Sequence, residues 1–147
     1  MKPSSLQPDI ELRDALKGQI RVGLRGGGTR VVTVYGDWER PSNGVDEDFL
    51  VVMLNGNMES LGMDIPFARG YIMVSLYSRL NDDGSVRKNR VQKILAQFDE
   101  AIECLNTSHY FYQYAAPQFI TPTTPNITSG YSITTLNLKW NTNNNIK

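Results

Sequence analysis

The chain has little of what most catalytic and metal sites are made from. Its 147 residues include one cysteine, Cys104, and one histidine, His109. A single cysteine excludes an internal disulfide and any cysteine-rich zinc site. A lone histidine leaves no His-based ligand spacing and no nucleophile–histidine pair inside a recognisable motif. Charge of one sign is also lacking: 15 Lys and Arg stand against 15 Asp and Glu, so nothing pulls the whole molecule toward nucleic acid or anionic lipid. The longest uninterrupted apolar run is Phe49 to Leu54, far short of the roughly 20 residues of a bilayer span. Met1 to Ser5 carries one charged side chain with no apolar stretch behind it, so no secretory signal is expected.

What is present is an ordinary globular composition, 40% hydrophobic and 20% charged, of a length that suits one domain. A single domain over residues 1–147 is expected, with its core over about 8–141 and an Asn-rich tail at 142–147 left disordered.

The clearest element is a long helix from about Ser85 to Leu105. Val91, Ile94, Leu95, Phe98, Ala101, Ile102 and Leu105 recur along one helical face, and the turn Asn81 to Ser85 is expected to cap the start. Cys104 reads as an inert buried thiol at the end of that face. Basic residues crowd the first half of this helix and acidic ones the second, the reverse of what the macrodipole favours. A shorter helix is expected from about Ile10 to Ile20. Strands are expected over Arg30 to Tyr35, Phe49 to Asn55, Tyr71 to Arg79, His109 to Tyr114 and Gly130 to Trp140, from β-branched and aromatic content and local alternation. A change of phase between Ile133 and Leu136 predicts a bulge. The segments Gly36 to Asp48, Gly56 to Gly70 and Ala115 to Ser129 read as long loops. The expected fold is α+β in the order α-β-β-β-α-β-β, a mostly antiparallel sheet of about five strands with the long helix across one face.

The residues offer few chemical candidates. Asp46-Glu47-Asp48 is too compact for a calcium loop and reads as a solvated loop. Gly26-Gly27-Gly28 lacks the Lys-Ser or Lys-Thr of a phosphate loop and runs from helix to strand, so it reads as a flexible turn. Arg25 and Arg30 near those glycines, with Arg87, Lys88, Arg90 and Lys93 on the long helix, are candidate contacts for phosphate or an acidic partner surface. No catalytic residue, cofactor or metal is expected. Contact-making material is more evident: Trp38 in a charged loop, and Met58, Leu61, Met63, Ile65 and Phe67 in another. A domain this small has little core left to receive them, so a partner subunit is the natural receiver.

This element order resembles that of the tail-terminator or tail-completion proteins of long-tailed bacteriophages. The strand Gly70-Tyr71-Ile72-Met73-Val74-Ser75-Leu76-Tyr77, leading into a helix with Phe98-Asp99-Glu100-Ala101-Ile102 near its end, is similar to the family's central strand and second helix. The resemblance implies a non-enzymatic structural protein of a phage or prophage virion, assembled in the host cytoplasm. Its copies would form a ring, often a hexamer, that terminates the tail tube and joins it to the neck or connector protein, with transient passage of DNA. On that reading Trp38, Glu39, Arg40, Met63, Phe67 and Arg69 are the expected assembly contacts. The alternatives are another phage neck or connector adaptor, and a small α+β nucleic-acid-binding domain that uses the basic helix face.

Overall fold

The computed structural model describes residues 7–23, 26–36, 39, 48–60, 68–105, 110–115 and 130–142, with residues 55–60 and 68 described by backbone alone. The fold is α+β: two helices, a five-stranded mostly antiparallel sheet and a two-stranded hairpin. Helix α1 (Pro8–Leu16) is followed by β1 (Arg21–Gly23), β2 (Thr29–Val31), β3 (Thr33–Gly36), β4 (Asp48–Ser60), β5 (Ala68–Arg79), helix α2 (Lys88–Glu103), β6 (Tyr110–Tyr114) and β7 (Tyr131–Thr142). The large sheet runs β3-β4-β5-β7-β6, and only its β3–β4 pair is parallel.

The two-residue period of the strands divides this sheet into unlike faces. Val34, Leu50, Val52, Ile72, Val74, Leu76, Leu136, Leu138 and Trp140 point to one side and are buried. They meet Leu12 and Leu16 of α1 and Val91, Ile94, Leu95, Phe98 and Ile102 of α2 in one continuous core. Each such side chain contributes about 1.5–3 kcal/mol on leaving water. The other face is covered by no helix among the described residues.

Several elements depart from the sequence expectation. Helix α1 starts and stops earlier than Ile10 to Ile20, because Pro8 is accepted at the first helical position. Helix α2 begins at Lys88 rather than Ser85. The Asn81 to Ser85 segment closes on itself instead: Asp83 accepts hydrogen bonds from the Ser85 amide and hydroxyl at 2.9 and 2.6 Å, and Arg87, at the N-cap of α2, makes no side-chain capping bond. The Gly26–Gly28 turn, all at positive φ, joins β1 to β2 as a hairpin. The expected strand from Arg30 to Tyr35 is broken at Val32, whose amide bonds to the Ile20 carbonyl. Much of the expected Gly56 to Gly70 loop is strand, with β4 and β5 paired out to Ser60 and Ala68. No bulge separates Ile133 from Leu136. The β5–β7 register is unbroken, and Ser132 and Thr134 occupy the buried positions, so polar residues in an intact alternation imitated a phase change. Strand β7 also continues to Thr142, past the expected end of the core at 141.

Side-chain clamps fix the layers to one another. The Gln97 amide donates to the Arg21 carbonyl at 2.7 Å and accepts the Arg21 amide at 2.9 Å, so α2 holds the hairpin as a neighbouring strand would. The Tyr112 hydroxyl is shared between the Pro8 carbonyl at 2.8 Å and Glu11 at 3.2 Å, tying β6 to α1. Burial first, and then Glu11, push that hydroxyl far above the usual tyrosine range.

Trp140 lies against the backbone of Gly70, where an added Cβ would sit 2.9 Å from two ring atoms. Tyr110 meets the same indole edge-on at 5.2 Å, so the ring has little room to yield. Gly70→Ala is expected to lower stability by about 1–3 kcal/mol, read as a reduced urea midpoint with unchanged slope.

Candidate functional site

The sequence-nominated residues fall into three groups. Trp38, Arg40, Met63, Phe67 and Arg25, together with His109, lie outside the described residues. Glu39, Arg30, Arg87, Lys88, Arg90 and Lys93 are described: Arg87 to Lys93 lie at the start of α2, Arg30 on the β1–β2 hairpin and Glu39 just past β3. Arg69 is exposed on β5 and belongs to the surface built below.

The contacts of Glu39 and Arg90 within the chain are well defined. Glu39 Oε1 accepts the Gly36 amide at 2.8 Å and the Arg13 guanidinium at 2.6 Å, so it braces α1 against the end of β3. Arg90 reaches from α2 to Asp48, donating through Nε at 2.7 Å and pairing through its terminal nitrogen at 2.6 Å. Asp48 is fully buried at the start of β4 and also accepts the Ser78 hydroxyl at 2.6 Å. The solvated-loop reading of Asp48 is therefore corrected: it is an interior anion, and Arg90 is its counter-charge. Lys88 and Lys93 are exposed, with Arg87 half-buried ahead of them. Cys104 is exposed where the sequence reads as buried, because it follows the last helical residue of α2 and turns out of the apolar stripe.

The surface that stands out is the sheet face away from the helices. At one end Phe49 stacks on Tyr77 at 4.8 Å and meets Tyr35 and Tyr131 edge-on at 5.7 and 5.6 Å. Arg79 lies over the Tyr131 ring at 5.2 Å. Val51, Met53, Met73 and Thr135, all half-buried, fill the middle. At the far end two cross-strand rows stand side by side on β5, β7 and β6: Tyr71, Lys139 and Gln113, then Arg69, Asn141 and Phe111. Tyr71 and Phe111 are 53% and 49% exposed, whereas Tyr110, Tyr112 and Trp140 on the opposite side pack into or against the core.

Sequence reading missed Tyr71, Lys139, Gln113 and Asn141. The available signal was the alternation itself, which places Phe111 and Gln113 opposite Tyr110, Tyr112 and Tyr114.

Among the described residues no three His, Cys, Asp or Glu side chains gather to hold a metal ion. No helix among them is long and apolar enough to cross a membrane. In comparisons with known proteins, no family model and no curated sequence matches this chain.

Two outcomes follow from the internal ion pairs. Arg90→Leu leaves Asp48 buried without its counter-charge and is expected to cost about 3–5 kcal/mol. Adding Asp48→Asn should recover most of that loss in a double-mutant denaturation cycle. The Gly36 amide, and then Arg13, hold the Glu39 carboxyl below its ordinary 4.5 against the opposing effect of burial. Its contribution is therefore full above that value and fades as pH falls through the lower folded one. The stability gap between the native chain and Glu39→Gln, at most about 1 kcal/mol near neutrality, should close on acidification when urea midpoints are compared across pH.

Proposed function

We propose that this chain is a structural subunit of a phage or prophage virion, a ring-forming protein that closes the tail tube and joins it to the neck. The observation that carries the reading is the face of the five-stranded sheet turned away from the two described helices, which ends in two exposed aromatic side chains among cations and amides. Aromatic residues and Arg beside polar neighbours are the composition of a protein–protein contact. The order of the helices and of the strands in the large sheet also supports it, since it is the order that carries the resemblance to tail-terminator proteins. In mechanism, a ring would match the tube on one side and offer a non-repeating surface on the other, which ends growth and presents a docking face. The chain acts in this reading as an assembly part of the virion, built in the host cytoplasm, rather than as an enzyme.

The nucleic-acid alternative relies on Arg87, Lys88, Arg90 and Lys93, and its weakness is that Arg90 is already paired with Asp48. Light scattering over a concentration series, with negative-stain imaging of the largest species, tests the two readings together. A closed ring is expected, formed by the chain alone or on addition of tail-tube protein. A strict monomer that ignores tube protein but binds nucleic acid in a salt-dependent manner would replace the ring reading.

A further inference from the structure

A ring built from one kind of subunit by head-to-tail contacts needs two different complementary surfaces on each copy. The two layers of this fold carry such a pair. On the sheet face away from the described helices, Arg69, Tyr71, Gln113, Lys139 and Asn141 border a depression of about 300 Å³ that reaches Gly70 and Trp140. Phe111 stands beside it in the Arg69 row, which continues to Glu59 on β4. Among the described side chains none that lines this depression is acidic. On the helix layer, a second depression of about 280 Å³ lies between the turn after α1 and the second half of α2. It is lined by Gln19, Gln97, Glu100, Ala101 and Cys104, with Glu103 exposed alongside. Among the described side chains none that lines it is basic.

We propose that a second copy of this chain docks here, seating the Tyr71 and Phe111 end of its sheet in the Glu100 and Cys104 depression of its neighbour. The inference rests on the ring reading and names the surfaces that meet. Size permits it: an enclosed cavity of about 150 Å³ accepts a benzene ring, and this one is larger and open. Charge favours it, since the exposed Lys139 would approach Glu100 and Glu103, and electrostatic complementarity of this kind fixes register between subunits. Geometry favours a ring over a two-fold dimer, because the surfaces differ and lie on opposite layers of the subunit. A single-stranded nucleic acid would suit the aromatic and cationic end alone but leaves the acidic depression without a role.

The test uses the full chain, whose own cysteine lies in the receiving depression. Tyr71→Cys is oxidised with copper phenanthroline and run on a non-reducing gel. A ladder of covalent multimers is expected, and it should vanish when Cys104→Ser is added. Dimers that persist in the Cys104→Ser background would show that the sheet ends meet each other, and would overturn the pairing. Charge reversal gives an independent reading by light scattering: Lys139→Glu is expected to weaken assembly about tenfold or more, and Glu100→Lys in the same chain to restore it. If the unaltered chain assembles but neither ladder nor rescue appears, the pairing falls while the ring reading stands. If it stays monomeric at every concentration, with and without tube protein, both fall. Salt-dependent capture of a labelled oligothymidine that Tyr71→Ala and Lys139→Glu abolish would give this surface to nucleic acid instead.

Discussion

The two-residue alternation of β4 as far as Asn55, beyond which its register with β5 shifts, and of β5 and β7 sends Leu50, Val52, Ile72, Val74, Leu136, Leu138 and Trp140 to one side of the sheet, and every other feature is arranged around that choice. A shift of one residue in register would carry the whole apolar set to the other face. Both helices and the hairpin therefore gather on one side, where they complete a single core. Among the described residues the other side carries an aromatic cluster at one end, half-buried aliphatics in the middle, and cations with two exposed rings at the far end. The sheet is thus two-sided by construction, with one face that builds the core and another of mixed aromatic, aliphatic and cationic side chains.

The Asp48–Arg90 pair sits at the junction of these layers. A buried carboxylate costs several kcal/mol in desolvation, and a guanidinium with a hydroxyl donor offsets that cost only in good geometry. Here both of those partners are within 2.7 Å of the carboxylate. The pair joins the first residue of β4 to the first turn of α2, and Ser78 brings in the end of β5. An apolar trio of similar volume would hold these elements as firmly, but with less directional control over where α2 begins. That matters because α2 has no side-chain cap to define its start.

Most of the architecture was legible from periodicity. The stripe from Val91 to Ile102 gave α2 its buried face, and the β-branched and aromatic runs located all five strands of the large sheet. Failures came where a local signal had a second meaning. Asn81 to Ser85 looks like a helix cap and instead closes a turn of its own. Ser132 and Thr134 look like solvent positions and are buried, because alternation outranks polarity in a strand whose register is fixed by its neighbour. The second halves of β4 and the start of β5 contain Gly, Asn and Arg, which weaken β-propensity, while tertiary pairing overrides it. The contact surface was the least legible part. Tyr71, Lys139 and Phe111 are far apart in sequence and share a patch only because β7 inserts between β5 and β6, an ordering that no local pattern encodes.

The charge distribution of α2 follows from the same division of labour. Its first turn has no acidic residue and its last turn no basic one, an arrangement that forgoes about 0.3–1 kcal/mol for each charge a helix would normally place there. An isolated helix of this length would be marginal under that handicap. Within the fold, burial of Val91, Ile94, Leu95, Phe98 and Ile102 contributes about 1.5–3 kcal/mol per side chain, so the inner face alone secures the helix. The outer face is then relieved of any duty to its own dipole. Lys88 and Lys93 at one end, with Glu100 and Glu103 at the other, form a gradient that helix stability does not require. On the proposed pairing of copies, the acidic end is the part that a cationic neighbour would find.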